Sequence, residues 1–213
     1  MARLPRVSPD AILAAAALEF AERGFAGARV DRIARRAQVN KAMLYYHFRS
    51  KQHLYRTLLR RMFTLAAARL QTIAASTASP ADKVAGALAG MAAFIAEHAP
   101  FPRIMLREVA EGGVHLDADT LKALAAVPRA FGAIVHQGVE SGAFRRVDPM
   151  FAYFSMLAPL VFYLAGAPIR KEIGHLHVAG FTSRPPAEFV RHMQDAVRRS
   201  FARDPHRKRG RSS

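Results

Sequence analysis

Between Val30 and Leu54 the chain reads VDRIARRAQVNKAMLYYHFRSKQHL, two short helical patterns and the start of a third, separated only by brief turns. Helices of about two turns are not stable alone in water, so each must lean on neighbours, and its apolar residues mark the side that does so. In the first, Val30, Ile33, Ala34 and Ala37 share a face while Arg29, Arg32, Arg35 and Arg36 surround it. In the second, Asn40 stands where a helix N-cap is needed. With Leu44 at zero and roughly 100° per residue, Phe48 falls at ~40°, Ala42 at ~160° and Tyr46 at ~200°. Leu44 and Phe48 therefore face a core, and Ala42 and Tyr46 face outward with Lys41, Tyr45 and Arg49 on the flanks. Ser50 then caps a helix that begins at Lys51. Two short helices joined by a tight turn form the helix-turn-helix pattern.

An outward face of this composition suits the DNA major groove, which admits one helix and offers acceptors, donors and the thymine methyl to its side chains. Ala42 and the Tyr46 ring can pack on a thymine methyl, Lys41 can donate to guanine or to phosphate, and Tyr45 and Lys51 are better placed for phosphate. The alternative is that half-buried tyrosines and solvated cations make an ordinary surface. Charge favours DNA: 32 Lys plus Arg against 16 Asp plus Glu leave the chain at +16. Residues 1–61 hold 13 Lys or Arg against Asp10, Glu19, Glu22 and Asp31, which is 13 − 4 = +9. If about six to eight phosphates are neutralised per dimer, affinity falls with salt at a log-log slope of about −5 to −7. Arg3 and Arg6 precede the first helix as an arm that can reach a minor groove or remain a disordered terminus.

The rest of the chain also reads as helix. Ser8-Pro9-Asp10 is a start signal for a helix over 9–23, stopped by Gly24. The pattern from Lys51 runs through Leu54, Leu58, Leu59, Met62, Leu65, Ala66 and Leu70 to the polar Ser76–Ser79 stretch. Ser79-Pro80 restarts a helix to about His98, shorter helices follow over roughly 103–112 and 118–141, Asp148-Pro149 opens another, and Pro185-Pro186 opens a last one ending near Phe201. The stretch from about 166 to 186 reads as a Gly/Pro-rich loop carrying His175 and His177. Residues 149–169 are uncharged and long enough to span a membrane, yet Pro149, Pro159, Pro168, Tyr153, Ser155 and Tyr163 argue for a buried helix in a soluble oligomer instead. The chain has no cysteine, which excludes thiolate zinc sites and thiol catalysis. Residues 1–10 lack the apolar run of a signal peptide, so the expected location is cytoplasmic. No nucleotide-binding glycine loop or nucleophile elbow occurs, and no enzyme activity or cofactor is expected.

The run GFAGARVDRIARRAQVNKAMLYYHFRSKQHL, Gly24 to Leu54, resembles the DNA-binding domain of TetR-family transcriptional regulators. The matching features are the glycine ending the first helix, the Val-x-x-Ile-Ala helix, and Leu44-Tyr45-Tyr46-His47-Phe48 followed by Ser50-Lys51. The resemblance implies that Lys41, Ala42 and Tyr46 sit at base edges and that Tyr45, His47 and Lys51 sit near phosphate. Arg29 or a backbone amide would replace the family's usual Thr or Ser at the second helix. Gln38 stands where a turn glycine is common, which predicts a cost on the order of 1 kcal/mol if its φ is positive. The implied fold is all-α: a three-helix DNA-binding domain over 1–50, a helical ligand-binding and dimerisation domain over 51–203, and a basic tail over 204–213. In that family the second domain binds a small molecule and pairs two subunits through its last two long helices. The expected partners are thus a double-stranded DNA operator, an unidentified small-molecule effector and a second copy of the chain, with no membrane.

The residues around the effector are candidates only. Phe94, His98, Met105, Leu106, Glu108, Val109, Phe131, Val135 and Phe162 offer an apolar lining with a few polar groups, against ordinary core packing as the alternative. Glu108, Glu111 and His115, at i, i+3 and i+7, could converge on a metal, but Gly112-Gly113 is expected to end their helix first, and no metal is predicted. A ligand-released repressor is the leading reading. An activator of the same fold and a basic helical protein at an acidic membrane surface are the alternatives.

Overall fold

A computed structural model describes residues 8–176 and 184–202; the arm with Arg3 and Arg6, His177 and the tail over 204–213 lie outside them. The described residues form ten α-helices and no strand: α1 Pro9–Gly27, α2 Val30–Arg36, α3 Lys41–Phe48, α4 Lys51–Ala75, α5 Pro80–Glu97, α6 Phe101–Ala110, α7 Ala118–Glu140, α8 Pro149–Ala165, α9 Ala167–His175 and α10 Pro186–Phe201. The start signals act through side chains that occupy unpaired amides of the first turn. Ser8 Oγ accepts from the Asp10 amide at 3.1 Å, Ser79 Oγ from Asp82 at 3.2 Å, and Asp148 Oδ1 from both Met150 and Phe151 at 2.9 Å.

Two expectations need correction. Residues 166–186 are not loop throughout, because α9 occupies Ala167–His175 with its proline in the first turn, where a missing N–H costs nothing. Gly24 does not end α1 outright. It adopts φ 69°, ψ 177°, and helical hydrogen bonding resumes beyond it to Gly27, so the helix kinks there. The uncharged stretch also divides: α8 runs through Pro159 to Ala165, and α9 follows at a bend of 57°. Among the described residues no single helix is long and apolar enough to cross a membrane.

The packing defines two compact units. The first holds the described residues up to Thr64 together with His98–Leu124, and the second holds Leu65–Glu97 and the described residues from Ala125 onward. The first is built on Ile12, Ala16, Phe20, Ile33, Leu44, Leu54, Leu59 and Ile104, all almost completely buried. It includes α6 because α6 lies against α1. In the second, α5 packs against α8 and α10 and buries Val84, Leu88, Met91, Phe94 and Ile95. The Gln194 side-chain amide of α10 donates to the Ala85 carbonyl of α5 at 2.9 Å. One side of α8 finds no cover among the described residues: Phe151, Phe154 and Phe162 are exposed, with Phe151 at 73%. With Ala158 between them, also exposed, they recur at the spacing of a single helical stripe.

Candidate nucleic-acid interface

The recognition surface is assembled from the inside out. Leu44, at 0% exposure, and Phe48 anchor α3 in the core of the first unit. Asn40 Oδ1 caps it by accepting from the Met43 amide at 2.7 Å. Because 3.6 residues make a turn, fixing those two positions turns Ala42 and Tyr46 away from the core. Tyr46 is 81% exposed, the highest value among the large apolar side chains of the described residues. Tyr45 is exposed beside it, and His47 is half-buried with its ring 5.3 Å from that of Tyr46. A helix carrying a projecting aromatic, a small methyl side chain and flanking cations has the shape and donor content that a major groove accepts.

The turn before α3 bears a cost. Gln38 has φ +57°, the left-handed region that a non-glycine side chain enters at roughly 1 kcal/mol or more. The turn needs that geometry to close the Val39 amide onto the Ala34 carbonyl at 2.9 Å.

The cations around this face are not all free. Lys41 Nζ is 2.9 Å from Asp31 Oδ1, and the two hold each other in charged form: Lys41 is pushed up and Asp31 pulled down, chiefly by that hydrogen bond. Arg29 precedes α2 with no side-chain cap; its backbone amide donates to Glu19 Oε1 at 3.2 Å and leaves the exposed guanidinium available. Lys51 is the most committed. Its ammonium donates to the carbonyl oxygens of Phe25 at 2.8 Å and Ala28 at 3.2 Å, and it lies 4.6 Å from the centre of the Phe25 ring. The same charge that suits phosphate also suits the bare carbonyls at a helix C-terminus, and here it caps α1. Sequence reasoning also missed His53, whose Nδ1 lies 2.8 Å from the Phe48 carbonyl and ties the start of α4 to the end of α3.

Beside this surface, Glu19, Glu22, Arg23, Arg32, Arg35 and Arg36 line an open polar pocket of about 480 Å³ on the α1–α2 side. The effector candidates are divided between the units. His98, Met105, Leu106, Glu108 and Val109 belong to the first, and Phe94, Phe131, Val135 and Phe162 to the second. Phe94, Phe131 and Val135 are core residues, whereas Val109 and Phe162 are exposed.

Glu108, at 1% exposure, has both oxygens occupied. Oε2 accepts from the Tyr55 hydroxyl at 2.8 Å, and Oε1 accepts from the His115 amide at 3.0 Å. Burial, and then Glu108 itself, keep the Tyr55 proton far above the ordinary phenol range. His115 Nδ1 lies 3.1 Å from Glu108 and 3.5 Å from Glu111. The glycine pair does end α6, as expected, but it also folds His115 back: with φ +74° and +76°, Gly112 and Gly113 bring ligand atoms of Glu108, Glu111 and His115 within 4.8 Å of one another. That set could hold a cation, although the buried carboxyl already has protein donors.

A capped two-turn recognition helix, presented outward from a three-helix core and joined to a second helical unit, defines a helix-turn-helix protein. The family description of bacterial regulatory proteins of the tetR family matches residues 12–58, and that of the tetracyclin repressor-like C-terminal domain matches residues 80–179. The chain belongs to the tetR family and is, with it, a helix-turn-helix transcriptional regulator. It is 31% identical to the HTH-type transcriptional repressor SCO4008 of Streptomyces coelicolor over 53% of this chain and 55% of that protein, so it spans about half the length of that relative. It is 29% identical to the HTH-type transcriptional repressor NicS of Pseudomonas putida over 72% of this chain and 74% of the relative. The crystal structure of PfmR, a TetR family transcriptional regulator from Thermus thermophilus, matches with a TM-score of 0.64 and 26% identity, covering 90% of this chain and 99% of that one.

Proposed function

We propose that the protein is a ligand-released repressor that binds a pseudo-palindromic operator as a homodimer in the cytoplasm, and that it acts by binding rather than by catalysis. The observation that carries this reading is the outward set on α3, Tyr46 above all, held by a buried Leu44 and Phe48. An exposed aromatic ring on a capped helix whose opposite face is buried is presented to a groove-shaped partner. Lys41, Ala42 and Tyr46 then read base edges, while Arg29, Tyr45, His47 and Lys51 lie along phosphate, with Lys51 also fixing α1.

Dimerisation is supported by the bare stripe of Phe151, Phe154, Ala158 and Phe162 on α8. An isologous contact through a two-fold axis covers the stripe on both subunits at once, and a two-fold dimer calls for two half-sites about one DNA turn apart. The effector is assigned to the helical C-terminal part of the chain, where the apolar candidates Phe94, Phe131 and Val135 are core residues. Such an effector releases DNA to the extent that it binds the DNA-free arrangement more tightly. The test is protection of duplex DNA by purified protein. Two symmetric half-sites, lost in Tyr46→Ala but retained in a surface variant such as Lys122→Ala, support the reading. A single asymmetric half-site, or binding to anionic vesicles with no preference among DNA sequences, removes it.

A further inference from the structure

We propose that Glu108, His115 and Phe25 form a relay that positions the recognition helix, so that the turn after α6 sets operator affinity although it lies outside the DNA-facing surface. The proposal rests on the DNA-binding reading above. It starts from the kink at Gly24, beyond which Phe25–Ala28 lead through Arg29 into α2. This short segment decides where α2, and then α3, are placed on α1.

Side chains from three other places hold it. Lys51 of α4 grips its carbonyls. Arg107 of α6 lies across the bare backbone of Gly24 and donates to the Glu22 carbonyl at 3.4 Å. The Phe25 ring is 4.2 Å from the His115 ring and 5.1 Å from that of Tyr55. His115 and Tyr55 are both fixed by the same buried carboxyl, Glu108. The path thus runs from Glu108 to His115, from His115 to Phe25, and from there into α2, which packs directly against α3.

The choice of residues argues for positioning rather than bulk stability. A buried carboxyl is a costly way to fill space, and an apolar side chain of similar volume is commonly neutral or better. What the carboxyl adds is direction: two oxygens, three donors and one permitted orientation for two rings. Glu108 and His115 are therefore positioning residues.

The test compares wild type, Glu108→Ala, Glu108→Gln, His115→Leu and the double variant Glu108→Ala/His115→Leu, each titrated on a mapped operator duplex and on a scrambled duplex. We expect Glu108→Ala and His115→Leu each to weaken operator binding roughly tenfold, within the range seen for residues that act on a site without touching its ligand. Scrambled-duplex affinity and the salt slope stay as in wild type, because no phosphate contact is lost. Glu108→Gln, which keeps an acceptor oxygen for Tyr55, recovers most of the operator affinity. The double variant loses no more than the weaker single, since both cut one path. Operator affinity unchanged in both single variants overturns the relay. So does a loss that falls equally on operator and scrambled DNA and follows the unfolded fraction measured by circular dichroism. If Glu108→Ala fails to fold, His115→Leu and Glu108→Gln carry the same comparison. Wild type that does not distinguish operator from scrambled DNA overturns the DNA-binding reading itself, and that outcome is separate from wild-type discrimination retained by the variants.

Discussion

Replacing Gly24 with alanine should destabilise the protein by about 2 kcal/mol, nearly all of it through the backbone. At φ 69° and ψ 177° this residue occupies a region that is essentially restricted to glycine, where a side chain costs roughly 1–3 kcal/mol. A Cβ built there would stand 2.7 Å from Arg107 Nη1. That contact is severe in distance but mild in energy, because the guanidinium is the free end of a flexible side chain. Moving it forfeits only a long hydrogen bond to the Glu22 carbonyl, at most about 0.5 kcal/mol. Alanine also narrows the unfolded ensemble, which returns roughly 0.4–1 kcal/mol. Taking the backbone cost near its upper end leaves a net loss of about 2 kcal/mol, or a fall in melting temperature of roughly 4–8 °C for a chain of this size. Urea titration of Gly24→Ala, Arg107→Ala and the double variant separates the two causes. Arg107→Ala should recover no more than about 0.5 kcal/mol of the Gly24→Ala loss. Full recovery in the double variant would mean that the clash dominates, and the backbone argument would be refuted. If the chain escapes strain by straightening α1 instead, Phe25 is carried off His115, and operator binding falls more than stability does.

Gln38→Gly should stabilise the chain by about 0.5 kcal/mol, relief of positive-φ strain outweighing the added freedom of the unfolded chain; urea midpoints decide, and a destabilised variant contradicts the reading of the turn. Asp117 is pulled below its ordinary value by hydrogen bonds from the Thr120 hydroxyl and amide and then by Arg56. A depressed folded-state value means that its stabilisation is complete above the unfolded value and fades as pH falls through the folded one. Asp117→Asn, which still caps α7, should flatten the decline of stability below about pH 4, as thermal melts across that range would show; an unaltered acid limb would rule the assignment out. Asp31→Asn frees Lys41 and removes a negative charge beside the interface. It should tighten operator binding several-fold, as titration on an operator duplex would show, and unchanged or weaker binding would contradict a DNA-facing Lys41.

The helices were legible where their signals are local. Ser8-Pro9, Ser79-Pro80 and Asp148-Pro149 mark starts, and each hydroxyl or carboxylate caps the amides its position predicts. The inward turn of Leu44 and Phe48 follows from periodicity alone, as does the outward turn of Tyr46. Less visible were features that depend on distant partners. Tyr55 and Glu108 are 53 residues apart, and no local pattern announces that α6 belongs with the DNA-binding helices. The same applies to Gly24: a glycine after an apolar run predicts a stop, but whether the helix resumes depends on Arg107 and Lys51 lying across it. Helix α9 was missed because it is short and buries no residue fully, leaving no apolar stripe to detect.

Charge shows the same division between total and allocation. The excess of +9 in residues 1–61 can be counted from sequence, but not how it is distributed among partners. In the fold every acid of that segment takes one cation: Asp10 pairs with Arg61, Glu19 lies 3.9 Å from Arg32, Glu22 holds Arg36 at 3.2 Å and Asp31 holds Lys41 at 2.9 Å. Arg56 goes to Asp117 at 3.5 Å, and Lys51 goes to backbone carbonyls. Around the two helices of the motif this leaves Arg29, Arg35 and Arg49 as exposed cations without an ion pair among the described residues. Exposed pairs such as Lys41 with Asp31 contribute little to stability, so a DNA acceptor can compete for that lysine. Lys51, with several carbonyl oxygens around its ammonium, has more to lose. Arg29, Arg35 and Arg49 are thus uncommitted to any acid, Lys41 is held by Asp31, and Lys51 is the most committed, through the carbonyls of the segment that leads into α2.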